Sequence, residues 1–278
     1  MLKRKIEDKL VNGFRLKAHN LSSPSGKRRV RVLLPKNYEM KRESYPVVYM
    51  LDGQNLFFDE ESYSKYSWRV SECLNEYPDL AEFLIVAIDN GADRLHEYSP
   101  WELDSNYSFL QYPLGGGGIA HAKFIINTVK NFIDENYRTL PEAENTAIVA
   151  SSLAASLASF IGIEYQYKIG ALGLFSLNNF LFEKSFIRYV AGKELNVKQR
   201  IYLQVGTDEL TSEDSTEDEK IKSRQDYLNA SLNYIKILLN KDFPHENIDF
   251  HIYANEKHHE KFWSKHLAEC FRYISADW

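Results

Sequence analysis

Short hydrophobic runs recur along the chain, each closed by a turn signal, and stretches with apolar residues at helical spacing lie between several of them. Val30-Arg31-Val32-Leu33-Leu34 alternates and stops at Pro35. Val47 to Leu51 is continuous and ends at Asp52-Gly53, and Phe83 to Ile88 ends at Asp89-Asn90-Gly91. Ala147-Ile148-Val149, Ile169 to Phe175, Ile201 to Val205 and the alternating Ile248 to Tyr253 predict four more strands. Continuous apolar strands bury both faces, so helices are expected on each side of the sheet. The clearest helical pattern runs from Ala120 to Asn136, with Phe124, Ile125, Val129 and Phe132 on one face. Thr216 and Glu219 have capping-box spacing, which predicts a helix beyond them with an apolar face of Ile221, Leu228, Leu232, Ile235 and Leu239.

Repeated strand-then-helix order is what an open α/β sheet needs, so the expected fold is a mostly parallel central sheet with helices on both faces. In such sheets functional groups gather beyond the carboxyl ends of the strands. No linker interrupts the pattern, and residues 1–278 are read as a single domain. A hydrophobic content of 44% is enough for a full core. A formal charge of -5 gives no general attraction to phosphate backbones or anionic lipids, so neither nucleic acid nor membrane is an expected partner. The segment MLKRKIEDKLVNGF lacks the apolar stretch of a secretory signal, and no run approaches the roughly 18 apolar residues of a membrane span. Cys73 and Cys270, both on predicted helices, assemble neither a disulfide framework nor a thiolate zinc site. A cytoplasmic location is the expectation.

Candidate chemistry centres on TAIVASSLAASLASF, residues 146–160, where an apolar run meets Ser152 and turns into a small-residue helical pattern. A nucleophilic serine on a strand-to-helix elbow needs small neighbours two positions to either side, and Ala150 and Ala154 occupy them. Glycine is usual at both. Each extra methyl in so crowded a turn is expected to cost about 1–3 kcal/mol if it over-packs. A serine hydroxyl also needs a histidine to take its proton and an acid to orient that histidine, and in this architecture both follow in the order acid, then histidine. Gly206-Thr207-Asp208-Glu209 ends one predicted strand and His258-His259-Glu260 follows another. His259 and Glu260 also suit the solvated start of a helix, and Asp208 and Glu209 suit a charge run ahead of one. Leu153 N–H and an N–H from Asp52-Gly53-Gln54-Asn55 are the candidate oxyanion donors, with Gly53 allowing a close backbone approach. Gly115 to Gly118 lacks the Gly-Lys-Ser/Thr of a phosphate loop and is read as a mobile loop near the site. No HExxH or Cys-x-x-C spacing indicates a metal.

Five ordered blocks together resemble the Putative esterase family, the esterase D and enterochelin-esterase-like branch of the α/β-hydrolases. They are Leu51 to Phe57, Arg94 to Pro100, Gly115 to Gly118, Ala150 to Ala155 and His258 to Trp263, and the resemblance spans roughly residues 28 to 275. It implies an α/β-hydrolase fold and a carboxylic ester hydrolase that needs no cofactor. The elbow is similar to Gly-Ser-Ser-Leu/Met-Gly-Gly, which carries the nucleophile to Ser152 and an oxyanion donor to Leu153, with Ala150, Ala154 and Ala155 replacing glycines. His258 to Trp263 is similar to His-Asn-Glu-x-x-Trp, so His258 takes the base role. The acid block favours Glu209, with Asp208 in reserve, and Gln54 takes the second oxyanion role. The resemblance implies small-molecule ester substrates: acyl esters of sugars or other small alcohols, or a siderophore-type trilactone. Arg94, Tyr98 and Trp101 are the candidate substrate-binding residues, with Tyr107 and Phe109 as further pocket aromatics. Acyl transfer is the chemical rival, a non-catalytic ligand-binding protein is the rival of another class, and self-association as a homodimer stays open.

Overall fold

The apolar runs become the centre of one sheet. The computed structural model describes residues 7–105, 114–209 and 216–278. Its strands are β1 (Glu7–Val11), β2 (Phe14–Ser23), β3 (Gly26–Leu34), β4 (Val47–Leu51), β5 (Leu84–Ile88), β6 (Thr146–Ser151), β7 (Ala171–Phe175), β8 (Arg200–Asp208) and β9 (Ile248–Lys257). They form a nine-stranded sheet in the order β1-β2-β3-β5-β4-β6-β7-β8-β9. The pairs from β5 across to β9 are parallel, and β1 to β3 join by antiparallel pairing. The predicted α/β architecture is therefore present, extended by two N-terminal strands that the apolar pattern does not reveal.

β4 explains why its sequence is continuously hydrophobic. Val47, Tyr49 and Leu51 enter one core layer, and Val48 and Met50 enter the other. The first layer also holds Phe124, Ile125, Val129, Phe160, Phe186 and Tyr234, and the second holds Val70, Trp263, Leu267 and Phe271. Side chains from helical segments thus cover both faces, as period-two alternation on a buried sheet requires.

The Ala120–Asn136 pattern lies in a longer helical stretch, Gly118–Phe124 and Asn131–Asn136 joined through a π-helical segment, Ile125–Lys130. Both limbs of the Thr216–Glu219 capping box form at the start of the Glu217–Leu239 helix. Its apolar face is not the predicted one. Ile221 is 58% exposed and Leu232 46%, while Tyr227, Ala230, Ser231, Tyr234 and Leu238 are buried. Packing selects the stripe that fits the sheet, and in that stripe Tyr227, Ala230, Ser231 and Tyr234 stand beside Leu238.

The Gly115–Gly118 segment differs from its sequence reading as a mobile loop. Gly116 and Gly118 donate to Ser99 O at 3.1 and 2.9 Å, and Gly117 donates to His96 O at 3.0 Å. A Cβ on Gly118 would lie 2.6 Å from Pro100 N, and one on Gly117 2.4 Å from the His96 ring. The glycines let two backbones touch. Tyr107 and Phe109 fall outside the described residues. Among the described residues, no helix is long and apolar enough to cross a membrane.

Candidate active site

Ser152 sits between β6 and the Leu153–Glu164 helix at φ 57, ψ -133, a conformation that L-residues rarely adopt. Its N–H donates to Phe175 O at 2.8 Å, so the neighbouring strand anchors the bend. Ala150, Ala154 and Ala155 are all buried in the core. A Cβ on Gly162 would meet Leu172 Cδ1 at 2.6 Å, which shows how closely helix and sheet approach.

Loops after three different strands bring the candidate triad together. His258 Nε2 lies 2.8 Å from Ser152 Oγ, and His258 Nδ1 lies 2.7 Å from Glu209 Oε2. Glu209 is 1% exposed. Its other oxygen, Oε1, accepts from Gly206 N–H at 2.9 Å and from the Ser176 hydroxyl at 2.5 Å. Trp263 Nε1–H donates in turn to Ser176 Oγ at 2.8 Å, and its ring meets the His258 ring edge-on at 4.9 Å. Asp208, the reserve acid, is held by Arg224 at 2.7 Å. An imidazole that donates its Nδ1–H to a carboxylate presents a lone pair at Nε2, and a serine O–H at this distance can pass its proton there.

Ser152 and His258 line a cavity of about 590 Å³ together with Gln54, one of the two oxyanion candidates; the other, Leu153, directly follows Ser152. Leu153 opens its helix, and its N–H belongs to the first turn, where no intrahelical acceptor exists. Asp52, at φ 53, starts a turn whose internal bonds use the N–H groups of Asn55 and Leu56 and leave that of Gln54 aside. A Cβ on Gly53 would lie 2.7 Å from Asp89 Oδ1 and 2.8 Å from Ala87 C, so glycine is needed for the close approach to β5. The Gln54 side chain is tied to Asn90, which donates its N–H back at 3.3 Å. Asn55 Nδ2 donates to Glu260 Oε1 at 3.1 Å, joining this turn to the histidine loop. Glu260, read from sequence as part of a solvated helix start, is buried by that bond.

Arg94 lines the cavity. Its Nε and Nη2 pair with the buried Asp52 carboxylate at 2.9 and 2.6 Å. Burial alone would lower the Arg94 pKa, but the Asp52 charge outweighs it and the net shift is upward. Tyr98 and Trp101 correct the sequence reading. Tyr98 is fully buried, its oxygen accepts from Asp52 N–H at 3.2 Å, and burial drives its phenol pKa well up. It holds the turn from behind rather than facing a ligand. Trp101 packs among Phe160, Phe182 and Tyr189 at 5.2–5.7 Å, outside the cavity wall. Glu97 pairs with the buried Arg28 and is structural. Sequence reasoning missed Ser176, whose only signal is its place one residue beyond a strand, and Tyr227, a cavity-wall residue on the helix whose apolar face was misread. Among the described residues, no group of three or more His, Cys, Asp or Glu side chains is placed to hold a metal ion.

This architecture is shared with proteins of known structure. A ferulic acid esterase superposes with a TM-score of 0.69 at 16% identity, covering 95% of this chain and 98% of its own. The siderophore hydrolase EstA from Aspergillus nidulans gives 0.68 at 14% identity, covering 94% of each chain. By sequence, YbbA of Bacillus subtilis (strain 168) is 22% identical over 251 residues, 90% of this chain and 93% of that protein. The α/β-hydrolase fold is thereby established for the described elements. The Putative esterase family model matches residues 22–274, nearly the whole chain, so the protein belongs to that family of carboxylic ester hydrolases.

Proposed function

We propose that the protein is a serine esterase that hydrolyses acyl esters of sugars or other small alcohols through Ser152, His258 and Glu209. Ser152 Oγ attacks the ester carbonyl as its proton passes to His258 Nε2. Leu153 N–H and Gln54 N–H receive the charge on the carbonyl oxygen, and His258 returns the proton to the departing alcohol. Water repeats the sequence on the acyl-serine and releases the acid. The observation that carries this reading is the continuous Ser152–His258–Glu209 chain at 2.8 and 2.7 Å beside an open cavity. Proteins of the same fold are named as a ferulic acid esterase and a siderophore hydrolase, which keeps a siderophore-type trilactone as the second substrate class to assay.

The test is p-nitrophenyl acetate hydrolysis and labelling by a fluorophosphonate probe, each with and without Ser152→Ala. Wild-type labelling and turnover, both abolished by the substitution, are expected. Activity that survives Ser152→Ala sinks the assignment.

A further inference from the structure

Three phenol and indole rings line the cavity beside Ser152 and His258, and two of them are committed to packing. Tyr227 is buried between the His258 ring at 4.6 Å and Phe180 at 5.1 Å. Trp263 is buried between His258 at 4.9 Å and Trp68 at 5.7 Å. Tyr63 is 91% exposed, and its side chain meets no ring and makes no hydrogen bond among the described residues. The loop that carries it is nonetheless fixed. Tyr63 N–H donates to Asn55 Oδ1 at 3.1 Å, and Asn55 is bound in turn to Glu260. Two residues before Tyr63, Glu61 accepts from Arg29 and Arg31 at 2.8 and 3.0 Å, and Asp59 Oδ1 accepts from the N–H and hydroxyl of Ser67 at 2.8 and 2.9 Å. A bare ring on a pinned backbone is apolar surface that a ligand can cover at little cost in ordering.

The polar part of the wall says what kind of ring suits it. His259 lines the cavity, and its Nδ1 accepts the Lys261 N–H at 3.0 Å, so the proton of the neutral imidazole sits on Nε2 and is left to donate. Arg94 gives Nε and Nη2 to Asp52 and keeps further N–H groups on a side chain that is 34% exposed. We propose that Tyr63 is a specificity-determining residue, its ring stacking on the C–H face of a sugar ring in the alcohol part of the ester while His259 and Arg94 donate to the sugar oxygens. The inference rests on the serine-esterase reading above and narrows its alcohols to sugars. A simple alcohol leaves the Tyr63 ring uncovered, and an aryl group covers it without using the donors. Stacking on a part of the substrate remote from the carbonyl is the same in the ground and transition states, so it acts on KM rather than on kcat.

The test is acetate release from glucose pentaacetate, which offers an ester at every ring position, and from ethyl acetate, by wild type, Tyr63→Ala and Tyr63→Phe. In Tyr63→Ala the ratio of kcat/KM for the sugar ester to that for ethyl acetate is expected to fall about 10-fold, through a rise in KM for the sugar ester. Tyr63→Phe keeps the ring and should hold the ratio within about twofold of wild type. An unchanged ratio in Tyr63→Ala overturns the inference, whether both rates persist or both fall together, as they would for a residue that only shapes the cavity. A loss in Tyr63→Phe as large as that in Tyr63→Ala overturns the stacking role. Phenyl acetate separates the two kinds of ring, and a greater loss on it than on the sugar ester overturns the assignment to sugars. Wild-type protein that hydrolyses ethyl acetate and leaves the sugar ester untouched overturns it as well. Wild-type protein that neither takes up a fluorophosphonate probe nor releases acetate from any of the three would instead overturn the serine-esterase reading itself.

Discussion

Glu209→Gln exchanges one carboxylate oxygen for an amide nitrogen at almost constant size, and the surroundings dictate which way that amide lies. Gly206 N–H is a fixed donor 2.9 Å from Oε1, so the amide oxygen must stay there. The amide N–H₂ is then forced against His258 Nδ1, a donor where an acceptor stood 2.7 Å away. The ring answers by moving its proton to Nε2, which faces Ser152 Oγ at 2.8 Å and can no longer take the serine proton. Both the orienting contact and the charge that stabilises an imidazolium are lost. A fall in kcat of about 10³- to 10⁴-fold is expected, about 4–5.5 kcal/mol on the barrier. Stability should shift by less than about 1 kcal/mol, because the oxygen still accepts from Ser176 and Gly206. Glu209→Ala is the contrasting change, since it strands those two buried donors at about 1–3 kcal/mol each. The assay is p-nitrophenyl acetate hydrolysis with urea denaturation of both variants. Turnover of Glu209→Gln within tenfold of wild type, or a larger loss from Asp208→Asn, refutes the reasoning.

Gly53→Ala drives a methyl into Asp89 and the β5 backbone at 2.7–2.8 Å, and should cost about 1–3 kcal/mol in urea denaturation together with a fall in kcat. An unperturbed variant would mean that the turn has room it is shown not to have. Trp101→Ala removes an aromatic packed on Phe160, Phe182 and Tyr189 and should lower stability by about 3 kcal/mol while leaving fluorophosphonate labelling unchanged. Slower labelling at unchanged stability would return Trp101 to the pocket. His121 is buried and its pKa is pushed down to about 4 by desolvation, with Glu97 opposing. The unfolded chain takes up that proton near pH 6.5 and the folded protein resists it, so stability is full above about pH 6.5 and falls by on the order of 3 kcal/mol toward pH 4. His121→Phe should flatten this decline, and equal slopes for the two proteins in urea titrations at pH 7 and 4.5 would count against it.

The central sheet was legible because strands buried on both faces must be apolar at successive positions, and Val47 to Leu51 carries that requirement openly. β2 was not legible. Its residues alternate between buried and solvated positions, with Lys17, His19 and Asn20 interrupting any apolar run. The Glu217–Leu239 helix misled for a related reason. Hydrophobicity points to Ile221, Leu232 and Leu239, yet the space beside the sheet is filled by Tyr227, Ala230, Ser231 and Tyr234. The juxtaposition of Ser152, Glu209 and His258 was legible because each lies directly beyond a recognisable strand. Ser176 also lies directly beyond a strand, but a lone serine states nothing about what it will touch; its value comes from Trp263 on one side and Glu209 on the other. Tyr98 and Trp101 stand beside a motif in sequence without facing the cavity, since proximity along the chain says nothing of which layer a ring enters.

Backbone strain ties these pieces into one design. Asp52, Ser152 and Ser176 all have positive φ, at 53°, 57° and 51°. They follow β4, β6 and β7, which are consecutive neighbours in the sheet. Each such residue costs on the order of 1–3 kcal/mol and persists only where its surroundings over-determine it. Here the restraints are visible: Arg94 grips Asp52 through two hydrogen bonds, Phe175 O holds Ser152 N–H, and Trp263 and Glu209 hold the Ser176 side chain. The same groups hold the candidate oxyanion turn and Ser152 at one cavity and Glu209 behind the His258 ring. That explains how alanine can stand where glycine is usual on the elbow. What the bend requires at its apex is a serine held in a left-handed conformation, and neighbouring strands supply that hold; the flanking positions need only be small.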